Sequence, residues 1–394
     1  MEIKLSQRVQ RIKPSPTLAV TARAAEMRAA GHDVIGLGAG EPDFDTPQHI
    51  KDAAVKALDE GFTKYTPVGG TPGLKDAIAA KFKRDNGLDY SADQILVSSG
   101  AKHSLFNLMQ ALLNDGDEVV IPAPYWVSYP AMVLLAGGKP VFVETSIDDE
   151  FKVSPDKLAA AITPRTRLVM LNSPSNPSGK AYSKAELAAL GEVLQQHPDV
   201  LISSDDIYEH ILWTDEPFCN IVNACPELYE RTVVVNGVSK AYSMTGWRIG
   251  FVGGPADLVK AMTKIQSQST SGAASVSQRA AEAALNGDQG CVRDMTRAFK
   301  QRHDVVFEGL NAIAGVRCLP SDGTFYAYPD VRDIVSRRSD VSDDTQLAEM
   351  LIEKAGVAMV PGSAFGTPGY LRLSFATSMD NLKDALERIA KAVA

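Results

Sequence analysis

The sequence predicts an α/β fold in which a large domain with a mostly parallel sheet is joined to a smaller α+β domain. From about residue 94, short apolar or β-branched runs alternate with Gly-, Pro-, Ser- or Asn-rich turns and helical patterns. The strand runs are apolar almost throughout, which is typical of strands covered by helices on both faces. After about residue 290 the order of elements becomes mixed, which is typical of an α+β unit.

The chain of 394 residues, 45% of them hydrophobic, is longer than one core usually supports, since single cores stop growing near ~250–300 residues. We predict a large domain at 46–290 and a small domain formed by 291–394 with 1–45, the latter including an N-terminal arm. A long helical pattern from about Arg293 to Ala312 would leave one domain and enter the other.

The strands and helices of the large domain are predicted in pairs. Leu187, Leu190, Val193 and Leu194 fall on one face of a helical pattern. The pairs are "QILVSS" with "AKHSLFNLMQALL", "DEVVIP" with "YWVSYPAMVLLAG", and "TRLVMLN" with "KAELAALGEVLQQH", and the strands "DVLISS" and "TVVVNG" follow.

The C-terminal third contains fewer predicted elements. A helix ends near Ala355, and the polar stretch at 331–345 is expected to be loosely ordered. The predicted strands are "TFYAYPDV", "VAMV" and "YLRLSFA", and the last helix is "DNLKDALERIAKAV".

Composition argues against several classes of partner. The 40 basic and 48 acidic residues give a net charge of -8, and no basic run suggests a nucleic-acid or anionic membrane surface. No window approaches the ~18 apolar residues of a membrane span, and no signal peptide is recognisable, so a cytoplasmic protein is expected. The spacing of Cys219, Cys225, Cys291 and Cys318 predicts reduced thiols rather than a disulfide or metal site.

Residues that follow the predicted strands are candidates for a binding site, because ligands of open α/β sheets bind outside the carboxyl ends of the strands. Singly, most have ordinary structural explanations: a Gly–Ser turn, a core tryptophan, an asparagine that makes a turn. Together they offer a phosphate-compatible turn, an aromatic plate, an amide, a carboxylate, a phenol and a lysine. The candidates are Gly100, Ala101, Lys102, Trp126, Asn176, Asp205, Tyr208 and Lys240.

Asp205 follows an apolar strand directly, where an unpaired carboxylate would be costly to bury. Tyr208 lies three residues later, and one helical turn would bring its phenol to the same place. Asp206 is expected to be the solvated or capping member of the pair.

Lys240 lies among small and aromatic residues in "NGVSKAYSMTGWRIG", unlike a typical surface lysine. A lysine in a desolvated pocket suits Schiff-base formation with an aldehyde, since condensation removes a charge that burial penalises. Pyridoxal 5'-phosphate has such an aldehyde, together with a phosphate, a ring nitrogen for Asp205 and a phenolic oxygen for Tyr208 and Asn176. We predict it as the cofactor.

The segment "SKAYSMTGWRIG" resembles the lysine-attachment signature of the class I pyridoxal-phosphate-dependent aminotransferases. The resemblance extends from about Arg11 to the last helix and is strongest to the bacterial aspartate/prephenate branch. Further blocks occur in the family's order: "GAGEPDFDTP", "KYTPVGGTPGLKDAI", "SSGAKHSLFN", "PYWVSYP", "NSPSNPSG", "SDDIYEHILW" and "YLRLSFATS".

This resemblance implies the fold type I of such enzymes and assigns roles around the cofactor ring. Lys240 would carry the cofactor and act as general base, while Asp205 would keep the ring nitrogen protonated. Tyr208 and Asn176 would bind the phenolic oxygen, and Trp126 would stack on the ring.

The resemblance also assigns the cofactor phosphate and a shared site. Tyr65 resembles a tyrosine that reaches the phosphate of the neighbouring subunit, which implies a homodimer. Within one subunit the phosphate would be held by Gly100, Ala101, Lys102, Ser239 and Arg248.

For the substrate, Arg372 resembles the arginine that pairs with the α-carboxylate, and Gly40 the glycine whose backbone approaches it; Trp126 and Asn176 would contact the substrate too. A salt bridge from Arg372 to a local Asp is the structural alternative. The segment "KIQSQSTSGAAS" lacks the arginine by which one branch binds a distal carboxylate, so Lys102, Ser15 and Thr17 are candidates for that role.

The leading hypothesis is therefore amino-group transfer between L-aspartate and a 2-oxo acid, either 2-oxoglutarate/oxaloacetate or prephenate. Aromatic or broad specificity, and a lyase on the same fold, are alternatives. A nicotinamide dehydrogenase is less favoured, because "GLGAGEP" is followed by Pro42 and a turn rather than a helix. A non-catalytic binding module would have no use for Lys240.

Overall fold

The computed structural model describes residues 3–394. The strands are β1 Ile35–Gly36, β2 Ile95–Ser98, β3 Glu118–Pro122, β4 Lys139–Val143, β5 Thr166–Asn172, β6 Leu201–Asp205, β7 Thr232–Gly237, β8 Gly250–Gly253, β9 Tyr326–Ala327, β10 Val357–Ala358, β11 Val360–Pro361 and β12 Leu371–Ser374. The helices are α1 Gln7–Gln10, α2 Pro16–Ala29, α3 Gln48–Asp59, α4 Pro72–Lys81, α5 Ala101–Leu112, α6 Ser128–Leu135, α7 Pro155–Ala161, α8 Lys184–Gln195, α9 Ile221–Ala224, α10 Ala256–Ser267, α11 Ser275–Asn286, α12 Gly290–Asn311, α13 Arg332–Arg337, α14 Asp344–Met350 and α15 Met379–Val393.

A seven-stranded sheet with the order β2-β8-β7-β6-β5-β3-β4 forms the centre of the large unit. Only β8 runs against its neighbours; the pairs from β7 through β4 are parallel. The predicted mostly parallel sheet is confirmed. Because β5, β6 and β7 are parallel neighbours, the residues that follow them meet at one edge of the sheet.

Alternation along the strands divides the apolar side chains between two cores, one on each face of the sheet. Val97, Val120 and Val169 belong to the first core, and their sequence neighbours Leu96 and Val119 belong to the second. Helices cover both faces, which explains why the strand sequences are apolar throughout.

The smaller unit combines an antiparallel sheet of the order β11-β12-β9 with a parallel pair formed by β1 and β10. Its core includes residues of the long helix α12 and of α15. Cys291 and Val292 at the start of α12 pack with the large unit, whereas Phe299 and later residues pack in the small one. These contacts support our proposal that the domain boundary lies near residue 290.

Polar contacts join the two units beside the sheet edge. The Lys180 ammonium donates to Asp322 Oδ1 at 2.9 Å, and Trp213 Nε1 donates to the carbonyl of Ser321 at 2.7 Å. Residues of both units therefore face a common cleft.

Two expectations from the sequence differ from the structure. The polar stretch 331–345 contains the helix α13, which is ordered because Ile334 and Val341 are buried in the small-unit core. The strand expected over "TFYAYPDV" is only two residues long.

The four cysteines form no disulfide, and no helix within residues 3–394 is long and apolar enough to cross a bilayer.

Candidate active site

A cavity of about 400 Å³ lies at the carboxyl edge of the sheet, between the two units. Most predicted site residues line it, although they are far apart in the sequence. Those lining it are Ser15, Thr17, Gly40, Ala101, Lys102, Trp126, Asn176, Asp205, Tyr208, Ser239, Lys240, Arg248 and Arg372.

Lys240 extends into this cavity from the turn that follows β7. Its Nζ donates to the carbonyl of Gly40 at 2.6 Å. Burial lowers the pKa of Lys240 to about 8; Arg248 and Arg372 act in the same direction, and Glu41 opposes them. The amine thus has an appreciable neutral fraction near neutral pH, as a nucleophile or base requires.

Asp205 is the last residue of β6 and is 4% exposed. Its Oδ2 accepts a hydrogen bond from Tyr129 Oη at 2.6 Å. Burial raises the pKa of Asp205 to about 6, while Tyr129, the Ile207 N–H and the charge of Lys240 act against this rise. The carboxylate forms no ion pair with a cation of the described chain, so a cationic ligand group could still pair with it.

Tyr208 lies in a turn after β6, not in the helix expected from its spacing to Asp205, yet both side chains line the cavity. The hydroxyls of Tyr208 and Tyr326 lie 2.9 Å apart. Burial raises the pKa of Tyr208 well above its usual value, so its phenol remains a hydrogen-bond donor.

Asp206 is not solvated, contrary to the expectation from sequence. It is 1% exposed and accepts hydrogen bonds from Ser204 Oγ at 2.6 Å and Asn220 Nδ2 at 2.9 Å. Asp206 directly follows β6, and these contacts place its carboxylate in a buried polar cluster. Burial and the charge of Glu209 raise the pKa of Asp206 to about 7.

The turn from Gly100 into α5 borders the cavity through Ala101 and Lys102, whereas Gly100 itself does not line it. Gly100 has a φ of +93°, and a Cβ there would collide with the guanidinium of Arg248, so the turn requires glycine. Arg248 donates to the carbonyls of Thr245 at 2.8 Å and Ser99 at 3.3 Å and has no carboxylate partner in the described residues. Together with the N-terminus of α5, this region favours an anion.

Trp126 and Lys102 lie on the same wall. The Lys102 ammonium lies 4.9 Å from the centre of the Trp126 ring. Burial lowers the pKa of Lys102, and the neighbouring Arg248 adds to this effect. Lys102 forms no salt bridge within residues 3–394, so its charge is available to a ligand.

Arg372 of β12 is 2% exposed and is held from several sides. Its guanidinium donates to Asn176 Oδ1 at 3.0 Å and to the carbonyl of Gly38 at 2.6 Å. The rings of Tyr326 and Phe365 lie 4.6 and 5.0 Å from its Cζ. The salt bridge to a local Asp that the sequence left open is absent from the described residues, and Nε has no partner.

Three residues of the N-terminal segment and one tyrosine complete the set predicted from sequence. Ser15 is the N-cap residue of α2, and the buried Thr17 Oγ1 has no hydrogen-bond partner among the described residues. Gly40 lies where a Cβ would meet Tyr326 Oη at 2.9 Å. Tyr65 does not line the cavity and is fully exposed on this chain.

The sequence analysis missed several residues of the cavity wall. Tyr129 lies in the quoted block "PYWVSYP", three residues after Trp126, and that block could have identified it. Asn172 ends β5 and begins the block "NSPSNPSG", so its place at the strand end could have identified it. Tyr326 belongs to no motif block, and only the fold brings it to the site. The additional wall residues include Glu41, Tyr129, Asn172, Thr245 and Tyr326.

The donor set fits the predicted pyridoxal 5'-phosphate. A glycine turn at a helix N-terminus with an uncommitted Arg248 suits its phosphate, and Trp126 offers a ring face. The buried Asp205 lacks a cationic partner, and the Lys240 amine faces the same cavity. The cavity walls thus match each functional group of the cofactor.

Comparison with known proteins gives one consistent family. The family model described as "Aminotransferase class I and II" matches residues 32–389. An aspartate/prephenate aminotransferase from Nitrosomonas europaea is 62% identical over 393 residues, covering 98% of this chain and 99% of that protein. An aspartate aminotransferase from Geobacillus stearothermophilus is 53% identical over 387 residues, covering 98% of each.

Solved structures agree with the sequence comparisons. The crystal structure of an aspartate aminotransferase from Rhizobium meliloti superimposes with a TM-score of 0.96 at 50% identity, covering 100% of this chain and 99% of that one. The aspartate aminotransferase from Thermus thermophilus with maleate gives 0.93 at 45% identity, covering 99% and 100%.

Proposed function

The chain belongs to the class I and II aminotransferase family, and we propose that it transfers the amino group between L-aspartate and a 2-oxo acid. We propose 2-oxoglutarate and oxaloacetate as oxo-acid partners, with prephenate as a further acceptor. The names of the relatives from Nitrosomonas and Geobacillus support this choice.

The observation that carries the proposal is the environment of Arg372. A buried guanidinium without a carboxylate partner is costly unless a ligand supplies the anion. Asn176 and Gly38 hold the group in place, and it faces the same cavity as Lys240. An amino acid whose α-carboxylate pairs with Arg372 would have its α-carbon presented within this cavity.

The family implies pyridoxal 5'-phosphate, and we propose residues of this chain that hold it. Asp205 would pair with the ring nitrogen, Trp126 would cover one ring face, and Tyr208 with Asn176 would donate to the phenolic oxygen. The phosphate would contact the turn at Gly100, Ala101 and Lys102, with Ser239 and Arg248. When bound, the cofactor supplies an electron sink that makes the substrate α-proton acidic.

Lys240 is proposed to move that proton. Burial in the cavity keeps its pKa near 8, so Nζ can accept a proton from the substrate α-carbon at physiological pH and then donate it. The carbonyl of Gly40, an acceptor 2.6 Å from Nζ, would orient the amine between these events.

A second anion site would select dicarboxylic substrates. Lys102 Nζ has no ion-pair partner in the described residues, and Ser15 and Thr17, whose hydroxyl has no hydrogen-bond partner there, line the same cavity. A lysine is a flexible point charge, so it would tolerate distal carboxylates at several distances. The Thermus protein was solved with maleate, a dicarboxylate, which supports this assignment.

We propose that the active assembly is a homodimer. Tyr65 is fully exposed on one chain, and Val55 and Leu58 on α3 expose 55% and 53% of their surface. A second copy would cover these apolar side chains and receive Tyr65 at its phosphate site.

A half-reaction screen tests the function without a guess about the acceptor. The holoenzyme is mixed with one amino acid at a time. Absorbance spectra then follow the decrease of the visible cofactor band and the rise of the near-ultraviolet band of the aminated cofactor. We expect the fastest conversion with L-aspartate. A protein that binds no cofactor, or converts only with non-carboxylic amines, would contradict the proposal.

A further inference from the structure

Tyr129, to which the sequence analysis assigned no role, makes the shortest contact to the buried acid of the site. It is the second residue of α6 and is 2% exposed. Its hydroxyl donates to Asp205 Oδ2 at 2.6 Å, and it makes no other hydrogen bond within the described residues. The phenol hydroxyl therefore forms its hydrogen bond with this carboxylate alone.

Asp205 has few other partners. The second oxygen, Oδ1, receives only a long contact of 3.4 Å from the Ile207 N–H. The titratable groups facing the carboxylate are Tyr129 from α6, Tyr208 from the turn after β6, and Lys240 from the turn after β7. Tyr129 alone forms a short hydrogen bond to it within residues 3–394.

The direction of this hydrogen bond is fixed. Burial raises the pKa of Tyr129 well above its usual value, and the charge of Asp205 acts in the same direction. The hydroxyl therefore stays protonated and donates, and a donor stabilises the ionised carboxylate against its protonated form. Because Oδ2 is engaged, Oδ1 is the oxygen left for a ligand.

Trp126, the aromatic plate of the site, lies two residues before α6. The rings of Trp126 and Tyr129 lie 5.4 Å apart at 88°, an edge-to-face contact. The Trp126 ring thus packs against the Tyr129 ring and restricts its rotation.

We propose that Tyr129 is a positioning residue: its hydroxyl fixes the rotation of the Asp205 carboxylate and favours its ionised form, so that Oδ1 is presented to the ring nitrogen of the cofactor. The second half of this inference rests on the proposed function. The first half concerns the protein alone and can be tested without cofactor.

The first experiment measures thermal unfolding of the cofactor-free protein between pH 5 and pH 8. At pH 5 Asp205 is largely protonated, since its pKa lies near 6 in the folded state, above its unfolded value. As the pH rises, the buried carboxylate must ionise, and without its donor this costs more stability. The melting temperature of Tyr129→Phe should therefore fall further below wild type at pH 8 than at pH 5.

Two further variants isolate the contact. In an Asp205→Asn background the extra loss at pH 8 should vanish, because no carboxylate remains to ionise. Tyr90→Phe is the matched control, since the buried Tyr90 hydroxyl has no partner; its effect should not change with pH. An equal loss for Tyr129→Phe at both pH values, or the same pH dependence in the Asp205→Asn background, would overturn the proposal.

A substitution that strengthens the hydrogen bond distinguishes the proposed role of Tyr129 from a general folding defect. 3-Fluorotyrosine at position 129 makes the phenol a stronger donor while keeping its shape. It should raise the melting temperature relative to wild type at pH 8 and not at pH 5. No difference between the two pH values would contradict the assigned role.

The second experiment uses the holoenzyme. Tyr129→Phe should lower kcat roughly tenfold, as expected for a lost hydrogen bond to a charged group, with KM for aspartate little changed. The cofactor should also bind more weakly in an absorbance titration. Unchanged kcat and cofactor affinity would remove Tyr129 from the site. If wild type itself formed no cofactor band, the proposed function would fail, while the cofactor-free result would stand.

Discussion

Lys240 is enclosed in a cavity wall, although burial disfavours the charged form of a lysine side chain. The enclosure lowers the pKa of its amine to about 8, and the Gly40 carbonyl provides an acceptor at 2.6 Å. Such shifts are common at functional sites, where the amine must be neutral for part of the time.

Replacing Lys240 with Ala should abolish the visible, borohydride-reducible band of the purified protein, because no other amine occupies its place. Lys75→Ala is a suitable control, since the Lys75 ammonium also donates to a backbone carbonyl, that of Ala92, but lies outside the cavity. A reducible band that persists in Lys240→Ala would contradict the assignment.

Arg372→Lys should lower kcat/KM for aspartate by at least ~10²-fold, because a lysine cannot reproduce a bidentate contact and leaves polar groups unmatched. Arg302→Lys is the matched control: Arg302 also lies between two aromatic rings but pairs with Asp43 at 2.6 Å outside the cavity. Steady-state kinetics check the prediction, and unchanged kinetics would remove Arg372 from the site.

At the scale of elements, short segments at the ends of strands and helices supply most of the chemistry. The turn into α5 offers an anion site because glycine permits its conformation. Trp126 just before α6 and Tyr129 within it bring two aromatic rings into edge-to-face contact. The strand β12 supplies Arg372 from the small unit. Side chains placed on helices and strands are held more precisely than side chains placed on loops.

Lys102, in the first turn of α5, allows a test of substrate choice. Lys102→Ala should reduce kcat/KM for aspartate roughly 10- to 100-fold, the effect of losing a hydrogen bond to a charged group. Monocarboxylic amino acids should be affected much less. Kinetics with both substrate classes provide the internal control, and an equal loss on both would reassign Lys102 to the phosphate or to the fold.

At the scale of the whole molecule, the cavity exists only where the two units meet. Asp205 and Lys240 belong to the large unit and Arg372 to the small one, joined by contacts such as Lys180 with Asp322. A second copy would add Tyr65, which has no partner surface on its own chain.

A mixture of two defective variants tests the shared site. Lys240→Ala and Tyr65→Ala are each expected to be impaired at limiting cofactor. If Tyr65 contributes to the partner's site, each hybrid dimer contains one intact site and one defective site. Random mixing makes about half of the dimers hybrids, so it should restore about a quarter of wild-type activity. Activity measured after subunit exchange that stays at the level of the separate variants would contradict the shared site.

The sequence by itself determined the alternation of strands and helices, the mostly parallel sheet and a set of candidate residues after the strands. These follow from local rules: hydrophobic period, turn chemistry and the meeting of parallel strand ends at one edge. The family resemblance added Arg372, Gly40 and the N-terminal residues, which no local rule connects to Lys240.

Only the tertiary structure decided which groups are paired and which are left free. It buried Asp206 in a polar cluster, left Arg372 without a carboxylate and joined Tyr129 to Asp205. Tyr129 and Asp205 are 76 positions apart and Arg372 and Asn176 are 196 apart, so a local pattern carries no information about these pairings. The chemistry of this site is set by those long-range contacts, because they fix the charge and direction of each side chain.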